Sequence, residues 1–125
     1  MVLIYGGVYQ GKLDYAKERF KLAEEDIYRC REDPALPQGK KAIYELERWL
    51  KALLETGSDT TDGLKQLIAH NPEAIIIAND ISCGIVPLDA KERQWREAAG
   101  FAMITLASAA TEVIRLFCGI PTRLK

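Results

Sequence analysis

Gly6, Gly7, Val8, Tyr9, Gln10, Gly11, Lys12 and Leu13 place glycines and a lysine between a short apolar run and a helical pattern. No other segment restricts the fold so strongly. The spacing G-x-x-x-x-G-K-[ST] lets backbone N–H groups curl around phosphate oxygens, brings a lysine to the terminal phosphates and uses a hydroxyl to hold Mg²⁺. Leu13 stands in the place of that hydroxyl. Glycine and lysine are common residues, so the spacing alone is a weak signal and its position matters more. Val2, Leu3, Ile4 and Tyr5 form a β-prone run before the loop, and apolar residues at helical spacing follow it, which predicts strand, loop and helix in that order.

Leu13, Ala16, Phe20, Ala23, Ile27 and Cys30 recur at steps of three and four, and predict one helix over 13–30 whose N-terminus points at the glycine loop. The unpaired N–H groups and positive dipole end of such a helix favour an anion there, even without the hydroxyl. A connection rich in breakers follows, with Pro34, Pro37 and Gly39. Ile43, Leu46, Leu50 and Leu53, supported by Trp49 and by the pair Glu47 and Lys51, predict a second helix that stops near Gly57. Ser58, Asp59, Thr60, Thr61 and Asp62 supply turn and cap chemistry for a third helix bearing Leu64, Leu67 and Ile68, which Asn71 and Pro72 end.

Ala74, Ile75, Ile76, Ile77 and Ala78 read as a strand buried on both faces, ending in Asn79 and Asp80. Asp89 can cap a helix over 90–110 that buries Trp95, Ala98, Ala99, Ala102, Met103 and Leu106. Val113, Ile114, Arg115, Leu116, Phe117 and Cys118 read as the last strand, closed by Gly119 and Pro121. Strands alternating with helices imply a parallel sheet whose ligands bind beyond the strand C-termini.

A length of 125 residues, 48% of them hydrophobic, suits a single α/β domain over 1–125. Seventeen basic and eighteen acidic side chains give a net charge of -1, which leaves no electrostatic footprint for nucleic acid or an anionic membrane. Cys30, Cys83 and Cys118 are odd in number and far apart, which argues against a disulfide framework or zinc site and for a reducing cytoplasm. No basic and apolar leader pattern and no apolar run near the ~20 residues of a membrane span is present, so an unexported, cytoplasmic protein is expected.

Three further segments carry a resemblance. Asn79-Asp80-Ile81-Ser82-Cys83-Gly84-Ile85-Val86-Pro87, then Arg93-Gln94-Trp95-Arg96-Glu97-Ala98-Ala99-Gly100, then Cys118-Gly119-Ile120-Pro121-Thr122-Arg123-Leu124-Lys125 resemble the bifunctional adenosylcobinamide kinase/adenosylcobinamide-phosphate guanylyltransferase family. Its pattern runs N-E-V-G-x-G-I-V-P, then R-x-F-R-D-x-A-G, and closes on S-G-x-P with a final lysine; Gly6, Gly7, Gly11 and Lys12 match its P-loop. The resemblance covers roughly 1–20 and 66–125. It implies a shortened P-loop NTPase fold of RecA-like type: three layers, with a small, mainly parallel sheet flanked by helices. It also implies ATP or GTP as cofactor with Mg²⁺, a cobinamide as second ligand, a role in cobalamin biosynthesis and a homo-oligomer, a trimer in the family. The departures are Asp80 for the family's Glu, Ser82 for its Gly, Met103 and Ile104 for an Asn-Gln pair, and no counterpart to the segment bearing the guanylylated histidine. Guanylyl transfer is therefore not expected. His70, the only histidine, precedes Asn71 and Pro72 at a helix end and matches no family position.

On these grounds Gly6, Gly7, Val8, Tyr9, Gln10, Gly11, Lys12 and Leu13 are the candidate nucleotide-binding loop, with Lys12 placed to neutralise the β- and γ-phosphates. Asp80, at the tip of the isoleucine-rich strand, is the candidate catalytic carboxylate and metal ligand. Glu45 lies near the family's second acidic position, but periodicity sets it on a solvated helix face. Lys91, Arg93 and Arg96 fit either phosphate contacts across a subunit boundary or a wet helix face. Tyr9 fits base stacking or plain exposure, and Trp95 a core or an oligomer contact. Kinase activity, nucleotide binding without turnover and a purely structural remnant all remain open at this level.

Overall fold

The computed structural model describes residues 1–81 and 89–125; the Ser82 to Pro87 part of the family-like tail lies outside the described residues. Six strands form one sheet in the order β2-β3-β4-β1-β5-β6. They are β1 (Val2–Gly6), β2 (Ile27–Arg29), β3 (Ala42–Tyr44), β4 (Ile75–Asn79), β5 (Glu112–Phe117) and β6 (Ile120–Arg123). Every pairing is parallel except the β5–β6 hairpin. The helices are α1 (Lys12–Phe20), α2 (Leu46–Glu55), α3 (Thr60–His70) and α4 (Ala90–Ala109).

Alternation along the central strands divides the core in two. Leu3, Ile43, Ile76 and Ala78 pack with Leu46, Trp49, Leu50, Leu53, Leu67, Ala99, Ala102 and Leu106 of α2, α3 and α4. Ile4, Ala42, Ile75, Ile77 and Ile114 point the other way, onto Ala16 of α1. The result is the three-layer, mostly parallel α/β arrangement expected of a P-loop-like chain. The chain leaves β1 through α1 toward one face and leaves β4 toward α4 on the other. A crevice therefore opens between the carboxyl ends of β1 and β4, where this kind of sheet binds ligands.

Local rules explain most elements. Asp59 caps α3 by accepting from the Thr61 and Asp62 N–H groups, and Asp89 caps α4 by accepting from Lys91. The continuous apolar run of β4 is buried along Ile75, Ile76, Ile77 and Ala78, as a strand covered on both sides requires.

Four expectations need correction. The helix over 13–30 ends at Phe20, because Lys21 turns left-handed (φ 54°) and donates to the Lys17 carbonyl. Beyond it Ile27 faces the α1 layer while Tyr28 and Cys30 face the other, a strand's alternation that coincided with helical spacing. Ile43 belongs to β3 rather than to the second helix, since Glu45 (φ 60°) breaks the chain before α2. The pair Glu47 and Lys51 is not formed; Glu47 turns inward to Asn79 and Lys51 lies over the Trp95 ring at 5.0 Å. Finally, β5 is not the last strand. Cys118 (φ 51°) and Gly119 (φ 73°) form a two-residue hairpin turn with both residues left-handed, and β6 follows. Pro121 is tolerated there because β6 is an edge strand.

Candidate functional site

The loop after β1 begins under tight backbone constraint. A side chain on Gly6 would collide with the main-chain oxygen of Leu116 in β5, so only glycine lets these central strands run side by side into the loop. Gly11 (φ 87°) occupies the N-cap of α1, a left-handed position, and its carbonyl accepts the first helical bond from Tyr15. Between them Val8 and Tyr9 are exposed, and Tyr9, 98% exposed, is left-handed at φ 61°. Gln10 is anchored by its backbone carbonyl, which accepts from Gly119 N at 3.0 Å, and by its side-chain carbonyl, which accepts from Cys118 N.

Lys12 is only 4% exposed, and its Nζ donates to the Gly7 carbonyl at 2.6 Å, folding the ammonium back into the loop. Burial pushes its pKa down, an effect opposed by the charges of Glu47 and Glu45. Of these two acids, Glu47 is buried as deeply as Lys12. Glu47, in the first turn of α2, accepts from the Asn79 backbone N–H at 3.2 Å and from Asn79 Nδ2 at 2.6 Å. Burial raises its pKa against the lowering effect of these bonds. Trp95 of α4 ties into the same place by donating Nε1–H to the Glu47 carbonyl at 2.7 Å. Its indole is thus used within the chain.

A cleft of about 470 Å³ opens at this edge, lined by loop residues 8–14 and by Tyr44, Glu45, Arg48 and Asn79. Glu45, directly after the tip of β3, forms an ion pair with Arg48 at 2.9 Å. The solvated helix face expected for Glu45 is therefore wrong: it stands at the C-terminal edge of the sheet, beside the cleft. Asp80 follows β4 and donates its N–H to the Gly6 carbonyl at 2.8 Å, which sets it next to the start of the loop. All the loop candidates and Asp80 are thus brought to one edge. Lys91, Arg93 and Arg96 stand on α4 and do not line the cleft, although Lys91 borders a separate hollow beside Trp95. His70 ends α3 with Nδ1 against the Gln66 carbonyl at 2.8 Å, on the side where β4 begins. Leu13 packs its side chain against the apolar layer under α1.

Sequence reading missed Glu47 and Asn79. A glutamate in the first turn of an amphipathic helix is usually solvated and dipole-favoured, and only the approach of β4 shows that this one is buried. Asn79, the last residue of β4, was visible as a polar end to an apolar run.

Among the described residues no helix is long and apolar enough to cross a membrane, and no cluster of three His, Cys, Asp or Glu side chains is arranged to hold a metal ion. A comparison with curated proteins finds no match. A family model described as cobinamide kinase / cobinamide phosphate guanyltransferase matches residues 40–124, from the approach to β3 through the terminal hairpin. That match spans well over half the chain and includes Glu45 and Glu47, whose charges act on the loop lysine, and Asn79 and Asp80 at the end of β4; the chain belongs to the cobinamide kinase / cobinamide phosphate guanyltransferase family.

Proposed function

We propose that this protein binds ATP or GTP at loop residues 6–12 and serves cobalamin biosynthesis as a kinase-type member of its family, without guanylyl transfer. The observation that carries the reading is Lys12: a buried ammonium folded onto the Gly7 carbonyl at the start of α1, beside a cleft at the β1–β4 crevice. A buried cation is costly unless paired, and phosphate oxygens are the partners this geometry suits. The terminal phosphates would take Lys12 from Gly7, while the N–H groups of the loop and of the first turn of α1 receive the remaining oxygens.

Mg²⁺ accompanying the nucleotide would find acidic groups at Asp80 and Glu45 on the strand tips. Leu13 offers it no oxygen and is turned into the apolar layer, so the loop half of the usual metal site does not fit. This mismatch supports a second reading, nucleotide binding with little or no turnover. A cobinamide is the proposed acceptor, and a homo-oligomer, a trimer by family likeness, the proposed assembly. A reducing cytoplasm is the proposed location, in which Cys30 and Cys118 would stay as thiols.

Titration calorimetry with ATP and GTP, followed by incubation with labelled γ-phosphate nucleotide and cobinamide, separates the possibilities. Heat with labelled product supports the kinase, and heat without product supports binding alone. No heat from any nucleotide at millimolar concentration overturns both.

A further inference from the structure

We infer that Gln10 is a positioning residue, through which the terminal β5–β6 hairpin sets the shape of the phosphate loop. This inference rests on the nucleotide-binding reading above. The loop has few internal supports: Val8 and Tyr9 project into solvent, and Leu13 replaces the group that would let a bound cation help order it. Its tether comes instead from the other end of the chain. Cys118 and Gly119 turn left-handed together, so that both N–H groups aim at Gln10, one to the side-chain oxygen and one to the backbone carbonyl. The two glycines meet closely enough that a side chain on Gly11 would sit 3.5 Å from Gly119 Cα. The hairpin closes on itself by the pairing of Phe117 with Ile120 and Leu116 with Pro121, and is fastened to the sheet by the parallel pairing of β5 with β1, Val113 opposite Leu3 and Arg115 opposite Tyr5.

Holding Gln10 fixes the residue just before the Gly11 N-cap, and hence the direction of the N–H groups that start α1. An anion site gains affinity when its donors are aimed before the ligand arrives, because less ordering remains to be done on binding. The hairpin would supply that ordering without touching the nucleotide.

The test compares the wild-type protein with Gln10→Ala, Gln10→Glu and Gly119→Ala. ATP affinity is read by calorimetry, and exchange of the Cys118 and Gly119 amides by NMR in the absence of nucleotide. Gln10→Ala is expected to weaken ATP about fivefold, the equivalent of one ordinary hydrogen bond, and to speed exchange of the Cys118 amide. Gln10→Glu keeps an acceptor at the same reach and is expected to restore Cys118 protection. Gly119→Ala, strained at φ 73° and outside the loop, is expected to weaken ATP in the same direction. Wild-type affinity in both Gln10→Ala and Gly119→Ala overturns the inference alone, as does unchanged Cys118 exchange in Gln10→Ala. Absence of ATP binding by the wild-type protein overturns the nucleotide reading, and this one with it.

Discussion

Removing the Glu47 carboxylate tests how the site is built into the core. In Glu47→Ala the Asn79 N–H and Nδ2 lose their acceptor at the tip of β4, beside Gly6 in the sheet register. Two bonds to a charged group are lost, offset in part because a carboxylate with a raised pKa no longer has to be buried; the net cost is about 3 kcal/mol. For a chain of this size that corresponds to a fall in Tm of about 10–15 °C. Glu47→Gln separates shape from charge. Its amide keeps one acceptor oxygen, and Asn79 can turn its own oxygen toward the new N–H, so the variant retains both contacts. The pH dependence has a definite sign. A folded-state pKa above the unfolded value means that Glu47 contributes most when protonated, and that this contribution is lost as pH rises from about 4.5 through the raised value. The Gln variant lacks that loss, so its deficit relative to wild type should be largest near pH 4 and should shrink toward pH 7. Urea unfolding at a series of pH values measures this directly. A deficit that grows with pH, or a Glu47→Ala protein within 0.5 kcal/mol of wild type, would refute the reasoning.

Three further outcomes are expected. Gly6→Ala should lose about 2–4 kcal/mol in denaturant titration, because the new methyl meets the Leu116 backbone oxygen rather than a movable side chain. Lys12→Met should abolish the heat of nucleotide binding while leaving Tm unchanged or higher, since burial already disfavours the charged lysine; a clear drop in Tm would show that the ammonium stabilises the fold. Trp95→Phe should cost about 1 kcal/mol through the lost bond to the Glu47 carbonyl, with no change in assembly state on size-exclusion chromatography.

Much of this architecture is visible in the residues taken singly. Asp59 and Asp89 announce the starts of α3 and α4, and the isoleucine run of β4 can only be a buried strand or a short buried helix. The strand–glycine loop–helix order at the N-terminus is legible for the same reason: each step is a local preference. Where the expectations failed, a local signal was ambiguous or absent. Lys21 and Glu45 adopt left-handed conformations with no glycine to mark them, so a helix and a strand were joined in one case and a strand was absorbed into a helix in the other. The turn at Cys118 and Gly119 was half visible, since only its glycine signals a positive φ.

By itself, then, the sequence determined the α/β class, the family and the strand–glycine loop–helix order at the N-terminus, because backbone freedom at glycine and apolar periodicity act over a few residues. Tertiary structure decided which polar groups surround that loop. Glu47 becomes a buried acceptor only because β4 brings Asn79 against α2, and Glu45 borders the cleft only because β3 ends beside it. Gln10 becomes a tether only because a hairpin 108 residues away folds back onto it. Burial and long-range pairing are properties of the packed chain, and no spacing within a single segment encodes them.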